Sequence, residues 1–358
     1  MSNTYENIKV MKHNPRVLVV ATSRKTRGGI TSVVKAHETG EQWKKFHCRW
    51  IQTHRDGPAW RKVWYLVTAL IEYMLVLPWY DIVHIHVATT QSARRKKIFF
   101  VLAKLLHKKT ILHFHPSNEK FLYEPANKKL YRNLFSKADL VLVLSEQWRR
   151  WIKDALGLTE HIEVLYNPCP MIEPKPELKQ KEILFAGTII PRKGYADLIR
   201  GFAKIAAFYP EWKVVFAGNG EIEKAKAITK ECGVEEQIEF LGWVNGSAKD
   251  LAFQRASIYC LASDGEGFPM GVLDAWAYGI PCVVTPVGGL PDIVVDGENA
   301  LVFPVGDVDM LASQLKKMIS DDAFREKIAS ASLALAHTTF NVKNLNRALE
   351  DIYTKLLK

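Results

Sequence analysis

Along most of its length the chain alternates between apolar runs of strand length and longer stretches with helical spacing. Residues 16–21 (Arg16-Val17-Leu18-Val19-Val20-Ala21) read as a strand buried on both faces, because the apolar run is continuous rather than alternating. A polar loop containing Gly28 and Gly29 follows, and helical spacing sets in from about Thr31. β-Branched runs recur at 82–86, 110–115, 140–144 and 162–165, with helical patterns at 97–107 and 123–136 among them. Pro168, Pro170, Pro174 and Pro176 then break the pattern and mark a linker. A second series follows, with apolar runs at 183–187, 212–218, 238–242, 258–262, 281–285 and 300–304. Its helical patterns lie at 195–208, 221–232 and 308–319, and a last one at 342–357 has no strand after it.

Such alternation predicts parallel sheets wrapped by helices, and 358 residues favour two domains over one. The expected fold class is α/β: two doubly wound, Rossmann-like domains facing each other across a cleft. Residues 1–170 form the first domain, 171–180 a linker and 181–340 the second. Residues 341–358 are expected to form a helix packing back toward the first domain. Open sheets of this kind bind ligands beyond the carboxyl ends of their strands, so the loops after the strands are where chemistry belongs. No G-x-G-x-x-G follows the first strand, which disfavours a nicotinamide-dependent oxidoreductase. Gly28 and Gly29 fit either close ligand approach or a plain turn.

Charge sharpens this picture. Up to Pro170 there are 28 Lys and Arg against 13 Asp and Glu, and beyond it 21 against 25. The basic first half implies an anionic partner. Its densest cluster, Arg94-Arg95-Lys96-Lys97, precedes the apolar Ile98-Phe99-Phe100-Val101-Leu102, with Trp60, Trp64, Trp79, Arg61 and Lys62 elsewhere in the same half. Basic residues beside an apolar helix predict contact with an anionic membrane surface; the competing reading is a core helix with solvated ends. The stretch 63–80 is interrupted by Glu72 and Pro78, so a buried or interfacial helix is expected rather than a membrane span. Residues 1–16 are polar and lack the apolar core of a secretory leader. The five cysteines are scattered without a Cys-x-x-Cys pair, which points away from disulfides and zinc and toward a cytoplasmic location.

Candidate chemistry gathers in the second half. Glu266 and Asp274 flank a glycine-containing turn between an apolar run and a helical stretch, so one acid lies in a loop and the other in the first turns of a helix. Ionised carboxylates accept hydrogen bonds only, which suits a ligand rich in hydroxyls, while a helix start above a strand suits phosphate. The pair reads equally well as a solvated loop acid and a dipole-stabilised helix Asp. Arg192 and Lys193, after a strand and before a helix, are placed for a diphosphate or are simply a basic loop. His113 and His115 share a strand face, with His113 expected to be packed. His84 and His86 have the same spacing and are read as structural, His86 being the likelier exception. A His-x-His metal site lacks a third ligand at suggestive spacing.

Taken in order, these residues resemble the retaining family 4 glycosyltransferases, which have the two-domain GT-B fold. The resemblance rests on Gly187, Arg192-Lys193-Gly194, Gly218-Asn219-Gly220, Phe240-Leu241-Gly242, Ser263 and Glu266-Gly267-Phe268. Asp274-Ala275-Trp276-Ala277-Tyr278-Gly279-Ile280-Pro281 and Val287-Gly288-Gly289 complete it, and the first half matches more loosely. It implies hexosyl transfer from a nucleotide diphosphate sugar, UDP- or GDP-linked, to a hydroxyl of a lipid-linked or surface-polysaccharide glycan. No cofactor or metal is implied and no nucleic-acid partner is expected; a peripheral position on the inner membrane face is. Arg192 and Lys193 are then expected to hold the diphosphate, Glu266 the sugar hydroxyls and His115 the underside of the sugar. Gly28 and Gly29 would close over the phosphates, and Phe268, Pro269, Met270 and Gly271 would contact sugar and phosphates. Gly187 belongs to the same donor site, the stretch around Gly242-Trp243 would lie beside the base, and Asp274 would bind the ribose. Asp274 stands where the family usually has Glu, and Thr188 where it tends to have Arg. The alternative class is a non-catalytic protein that binds nucleic acid or other anions, though no nucleic-acid motif appears.

Overall fold

The first sheet consists of β1 (Val17–Ala21), β2 (Arg49–Gln52), β3 (Ile82–Val87), β4 (Lys109–Phe114), β5 (Leu140–Val143) and β6 (Ile162–Val164). These strands run parallel in the order β2-β1-β3-β4-β5-β6 in the computed structural model, which describes residues 14–358. Most of the polar opening segment therefore lies outside the described residues. The crossovers carry α1 (Gly29–Glu38), α2 (Glu41–Lys45), α3 (Ala59–Val76), α4 (Thr90–Leu105), α5 (Pro125–Phe135) and α6 (Glu146–Leu156).

The second sheet repeats the plan with β7 (Glu182–Ala186), β8 (Lys213–Ala217), β9 (Ile238–Gly242), β10 (Ile258–Leu261), β11 (Cys282–Val284) and β12 (Leu301–Val302). Its order is β12-β11-β10-β7-β8-β9, again parallel. The helices here are α7 (Tyr195–Ala203), α8 (Ile222–Glu231), α9 (Gly246–Arg255), α10 (Met270–Ala277), α11 (Val308–Ser320) and α12 (Asp322–His337). The last helix, α13 (Val342–Leu357), lies against the first domain: Tyr353 Oη meets His84 Nδ1 at 2.8 Å and Lys355 pairs with Glu163 at 2.6 Å. This is the α/β fold of two doubly wound domains that the sequence predicts. Central strands such as β1 are buried at every position, which is why their sequences read as unbroken apolar runs.

Helices α2, α6, α9 and α12 have no counterpart among the expected elements, and three others differ from expectation. β2 is a four-residue edge strand with Arg49 exposed and Trp50 and Ile51 buried, too short to show a period. The helix expected at 97–107 begins at Thr90, where the Thr89 hydroxyl caps Ser92 N. Its buried stripe includes Ser92, Lys96, Phe99 and Ala103, so Lys96 turns inward instead of joining a surface cluster. The helix expected at 195–208 stops at Ala203, and 206–208 form a separate short turn. The proline-rich segment is no solvated tether. Cys169 is fully buried and its amide donates to Phe340 O at 2.7 Å, binding the two interdomain crossings side by side.

Strand order fixes where a ligand can sit. In the first sheet the chain reverses direction of growth between β1 and β3, and in the second between β7 and β10. At such switch points the loops diverge and leave a crevice at the carboxyl ends of the strands. The two crevices face each other.

Candidate functional site

The shared cleft has a volume of about 470 Å³. On one side the loop after β1 contributes Thr22, Thr26, Arg27, Gly28 and Gly29, and the end of β4 contributes His115. On the other side stand Gly187 and Thr188 after β7, then Arg192 and Lys193, then Glu266, Phe268, Pro269, Met270 and Gly271 after β10. An added Cβ on Gly29 would lie 3.4 Å from Met270 Cγ, so the two domains approach closely at this point.

Glu266 is the hub of the second wall. It is only 8% exposed, accepts from Ser263 Oγ at 2.8 Å and from Lys193 Nζ, and has Arg192 Nη1 at 3.8 Å. Arg192 is steadied by the Gly265 carbonyl. Two cations thus meet a single carboxylate, leaving an excess of positive charge where desolvated anions are held best. α1 and α10 both begin at the cleft, and neither has an acid in its first turn or a side-chain cap. Their leading amides and positive dipole ends are free to serve an anion.

The first wall is backed by imidazoles. His84 and His86 on β3 lie beside His113 and His115 on β4, because the strand register sets His86 opposite His113. His115 Nε2 meets His86 Nδ1 at 2.9 Å, while His84 bridges Tyr353 Oη and His113 Nδ1. Burial, helped by the charge of Lys96 and by His37, pushes His115 down to about 3, and burial also drives His84, His86 and His113 well below the usual imidazole range. All four are neutral at physiological pH. Lys96, pushed down by burial to about 7, donates to the His86 carbonyl. The third metal ligand missing from the sequence pattern is therefore supplied in space by His113, with nitrogens of His84, His86 and His113 within 4.8 Å of one another. Their rings nonetheless stack at 4.5 to 5.3 Å with interplanar angles of 17 to 34°. In-plane lone pairs on near-parallel rings do not converge on one ion, and the hydrogen bonds already engage most of the nitrogens.

Two expected donor residues sit differently. Asp274 is not among the cleft-lining residues; lying a full turn inside α10, it is drawn to Lys249 of α9, whose Nζ is 2.7 Å from Oδ2. Burial raises its pKa and Lys249 counters the rise. Of the expected Gly242-Trp243 stretch, Gly242 stays off the wall in a left-handed turn (φ 67°), while Trp243 lines it. Trp243 stacks under the Arg27 guanidinium at 4.7 Å, a contact across the two domains. Arg27, Ser263 and Asn167, which donates to Phe268 O at 3.1 Å, were not assigned roles from sequence. Arg27 stands next to Gly28, and Ser263 is one of the residues that carry the resemblance, so a signal for each is present in the sequence.

Two family models meet end to end on the chain: Glycosyltransferase Family 4 over residues 16–170 and Glycosyl transferases group 1 over 170–333. An exopolysaccharide phosphotransferase of Streptomyces coelicolor is 28% identical over 61% of this chain and 24% of its own length. A phosphatidyl-myo-inositol mannosyltransferase of Mycobacterium leprae is 26% identical over 70% of this chain and 67% of its own. The chain thus spans about a quarter of the first relative and about two thirds of the second. The crystal structure of Anabaena HepE with UDP-glucose superposes with a TM-score of 0.76 at 17% identity, covering 95% of this chain and 99% of that one.

Proposed function

The chain belongs to the group 1 and family 4 glycosyltransferases, and from that premise we propose that it moves a hexosyl group from a nucleotide diphosphate sugar to a hydroxyl acceptor with retention at the anomeric carbon. The observation that carries this reading is the meeting of Arg192, Lys193, Glu266 and two uncapped helix starts at the facing carboxyl ends of both sheets. In the reaction the bond between the anomeric carbon and the β-phosphate oxygen breaks, and the acceptor oxygen bonds to that carbon on the same face. The acceptor proton passes to the departing phosphate. Lys193 and Arg192 stabilise the charge that develops on the diphosphate, doing without a metal what fixed positive charge does best in a dry site. As Lys193 turns to the phosphate, Glu266 is released to accept from sugar hydroxyls, its position still held by Ser263. Neutral His115 packs under the sugar. Asp274 reaches the ribose only by leaving Lys249 or through a bridging water.

The acceptor in this reading is a lipid-linked or surface-polysaccharide glycan intermediate, and the enzyme works peripherally on the cytoplasmic face of the membrane. The names of the two relatives, acting on an exopolysaccharide and a phosphatidylinositol, favour it, as do five free cysteines. Isothermal titration with uridine and guanosine diphosphates tests the donor site. One of them binds the wild type, and Lys193→Ala weakens that binding about 10- to 100-fold, the range of a charge-assisted hydrogen bond. No binding of either nucleotide, or affinity untouched by the substitution, overturns the assignment.

A further inference from the structure

Outside the cleft, the feature least explained by a water-soluble fold is the outer face of α3. Trp60, Trp64, Val67, Ile71 and Leu75 recur at helical spacing and are 46 to 67% exposed. Within 59–79 lies an apolar window of 18 residues of which only 17% is buried. α4 continues the surface with Ile98, Val101 and Leu105, each more than 40% exposed. An apolar patch of this extent on a domain surface marks an interaction site.

The helix does not leave the domain to span a bilayer. Its opposite face is welded down: Ala69 and Tyr73 are buried, Tyr73 Oη donates to Phe99 O at 2.8 Å, and Glu72 pairs with Arg49 at 2.7 Å. What remains is a stripe about 27 Å long, at 1.5 Å per residue, lying flat on the protein. Indoles stand at both ends, Trp60 and Trp64 at one and Trp79 at the other, as suits the water–lipid boundary. Exposed Lys62, Arg94 and Lys97 belong to the same two helices. A second copy docked on this face would bring those cations together, whereas anionic head groups neutralise them.

We propose that the α3–α4 face lies in the interface of an anionic bilayer and sets the cleft mouth level with the head groups, so that the acceptor is one carried on a membrane lipid. The site of contact moves from the Arg94–Lys97 cluster, half of which turns inward, to the stripe of α3. The cleft follows from connectivity. α3 starts beyond the β2 loop whose His54 carbonyl and Asp56 carboxylate hold the cleft residues Thr26 and Arg27. α4 starts just after the cleft residue Ala88. Both helices run from the rim outward. The inference rests on the glycosyl-transfer reading for the identity of the acceptor, and on the surface alone for the docking.

Flotation with vesicles of phosphatidylcholine, alone or mixed with phosphatidylglycerol, tests it on the full chain. The wild type floats with the anionic vesicles, less so as salt rises. The triple variant Trp64→Gln, Ile71→Gln, Leu75→Gln loses at least about tenfold in apparent affinity. The same variant retains nucleotide diphosphate binding, since none of the three touches the cleft, and this shows that it folds. Flotation unaffected by the triple change overturns the proposal, as does equal binding to uncharged vesicles. So does a wild-type dimer in lipid-free solution that the triple variant dissolves, because a second copy then occupies the face. Failure of the wild type to bind any nucleotide diphosphate overturns the transferase reading but leaves the flotation result to judge the docking.

Discussion

Neutrality is what makes the histidine group under the cleft usable. An imidazole buried without an acid partner sheds its proton, since desolvation penalises the charged form. His37, whose Nδ1 meets Asn346 Oδ1 at 2.8 Å, behaves like His84, His86, His113 and His115: burial lowers all of them. The linkage to stability has a definite sign. A folded-state pKa below the unfolded value means that the unfolded chain binds more protons once the pH falls below about 6.5. The stabilisation is therefore complete above that value and is lost on acidification, by about 1.4 kcal/mol per pH unit for each imidazole in the steep region. Denaturant midpoints taken at about pH 7.5, 6.0 and 5.0, which bracket that value, are expected to drop progressively. His37→Leu, which deletes one titrating group, flattens the slope even if it lowers stability throughout. A midpoint that does not change across this range refutes a neutral buried cluster. Activity has a separate residue-scale consequence. His115 spends Nε2 on His86, so in the proposed reaction the ring nitrogen left to face the sugar is Nδ1.

At the scale of elements, Glu266 is placed by turns rather than by a strand or helix. Gly288, with φ 61°, lies against the Glu266–Gly267 backbone, and a Cβ there would stand 2.3 Å from Glu266 O. Gly288→Ala must displace that loop. A misplacement of about 1 Å near the reacting centre costs on the order of 100-fold in rate, while the backbone strain costs about 1 to 3 kcal/mol. Gly297→Ala, also at positive φ (75°) but with nothing within 4 Å, is the control: a comparable fall in melting temperature with donor hydrolysis unchanged. Equal activity in both variants defeats the claim that Gly288 shapes the site. Reading this level from sequence succeeds where one element's own pattern decides the outcome. α13 was legible at both ends because its apolar stripe, with Leu345, Leu349 and Ile352 buried, repeats over the whole helix. It falters where a second element decides. Nothing in the α4 sequence says that Lys96 lies on the stripe facing the sheet, and strand register, which puts His113 beside His86, is written in neither strand alone. The family resemblance assigns Asp274 to the ribose, whereas its partner in the structure, Lys249, lies on another helix that the Asp274 stretch says nothing about.

For the whole molecule, the cleft exists only when the domains are together, and specific bonds hold them so. Trp148 of α6 donates its Nε1 to Gly267 O at 2.8 Å, and Gln147 N donates to Asp292 Oδ2 at 2.7 Å. Behind them Phe340, fully buried at the crossing between α12 and α13, packs on Phe268 and Trp276 with ring centroids 5.3 and 5.5 Å apart. Apolar packing continues from one domain into the other, and these polar contacts add to it against the relative motion that two-domain chains undergo. Opening would expose Gly267 O to water, which replaces the indole, so the net worth of that bond to closure is about 0.5 to 1.5 kcal/mol. Trp148→Phe keeps the ring in its aromatic surroundings and removes only the donor. Because donor binding needs both walls, its apparent affinity scales with the closed fraction, and the variant is expected to bind nucleotide diphosphate up to about tenfold more weakly. The signature that separates this from loss of a direct contact is in solution scattering. Ligand-free Trp148→Phe shows a larger radius of gyration than the wild type, and saturating nucleotide diphosphate returns it to the wild-type value. Lys193→Ala, which alters a wall and not the closure, leaves the ligand-free radius unchanged. If Trp148→Phe has the wild-type radius and affinity, the domains are held together by their packing alone, and the Trp148 bond has no part in presenting the site.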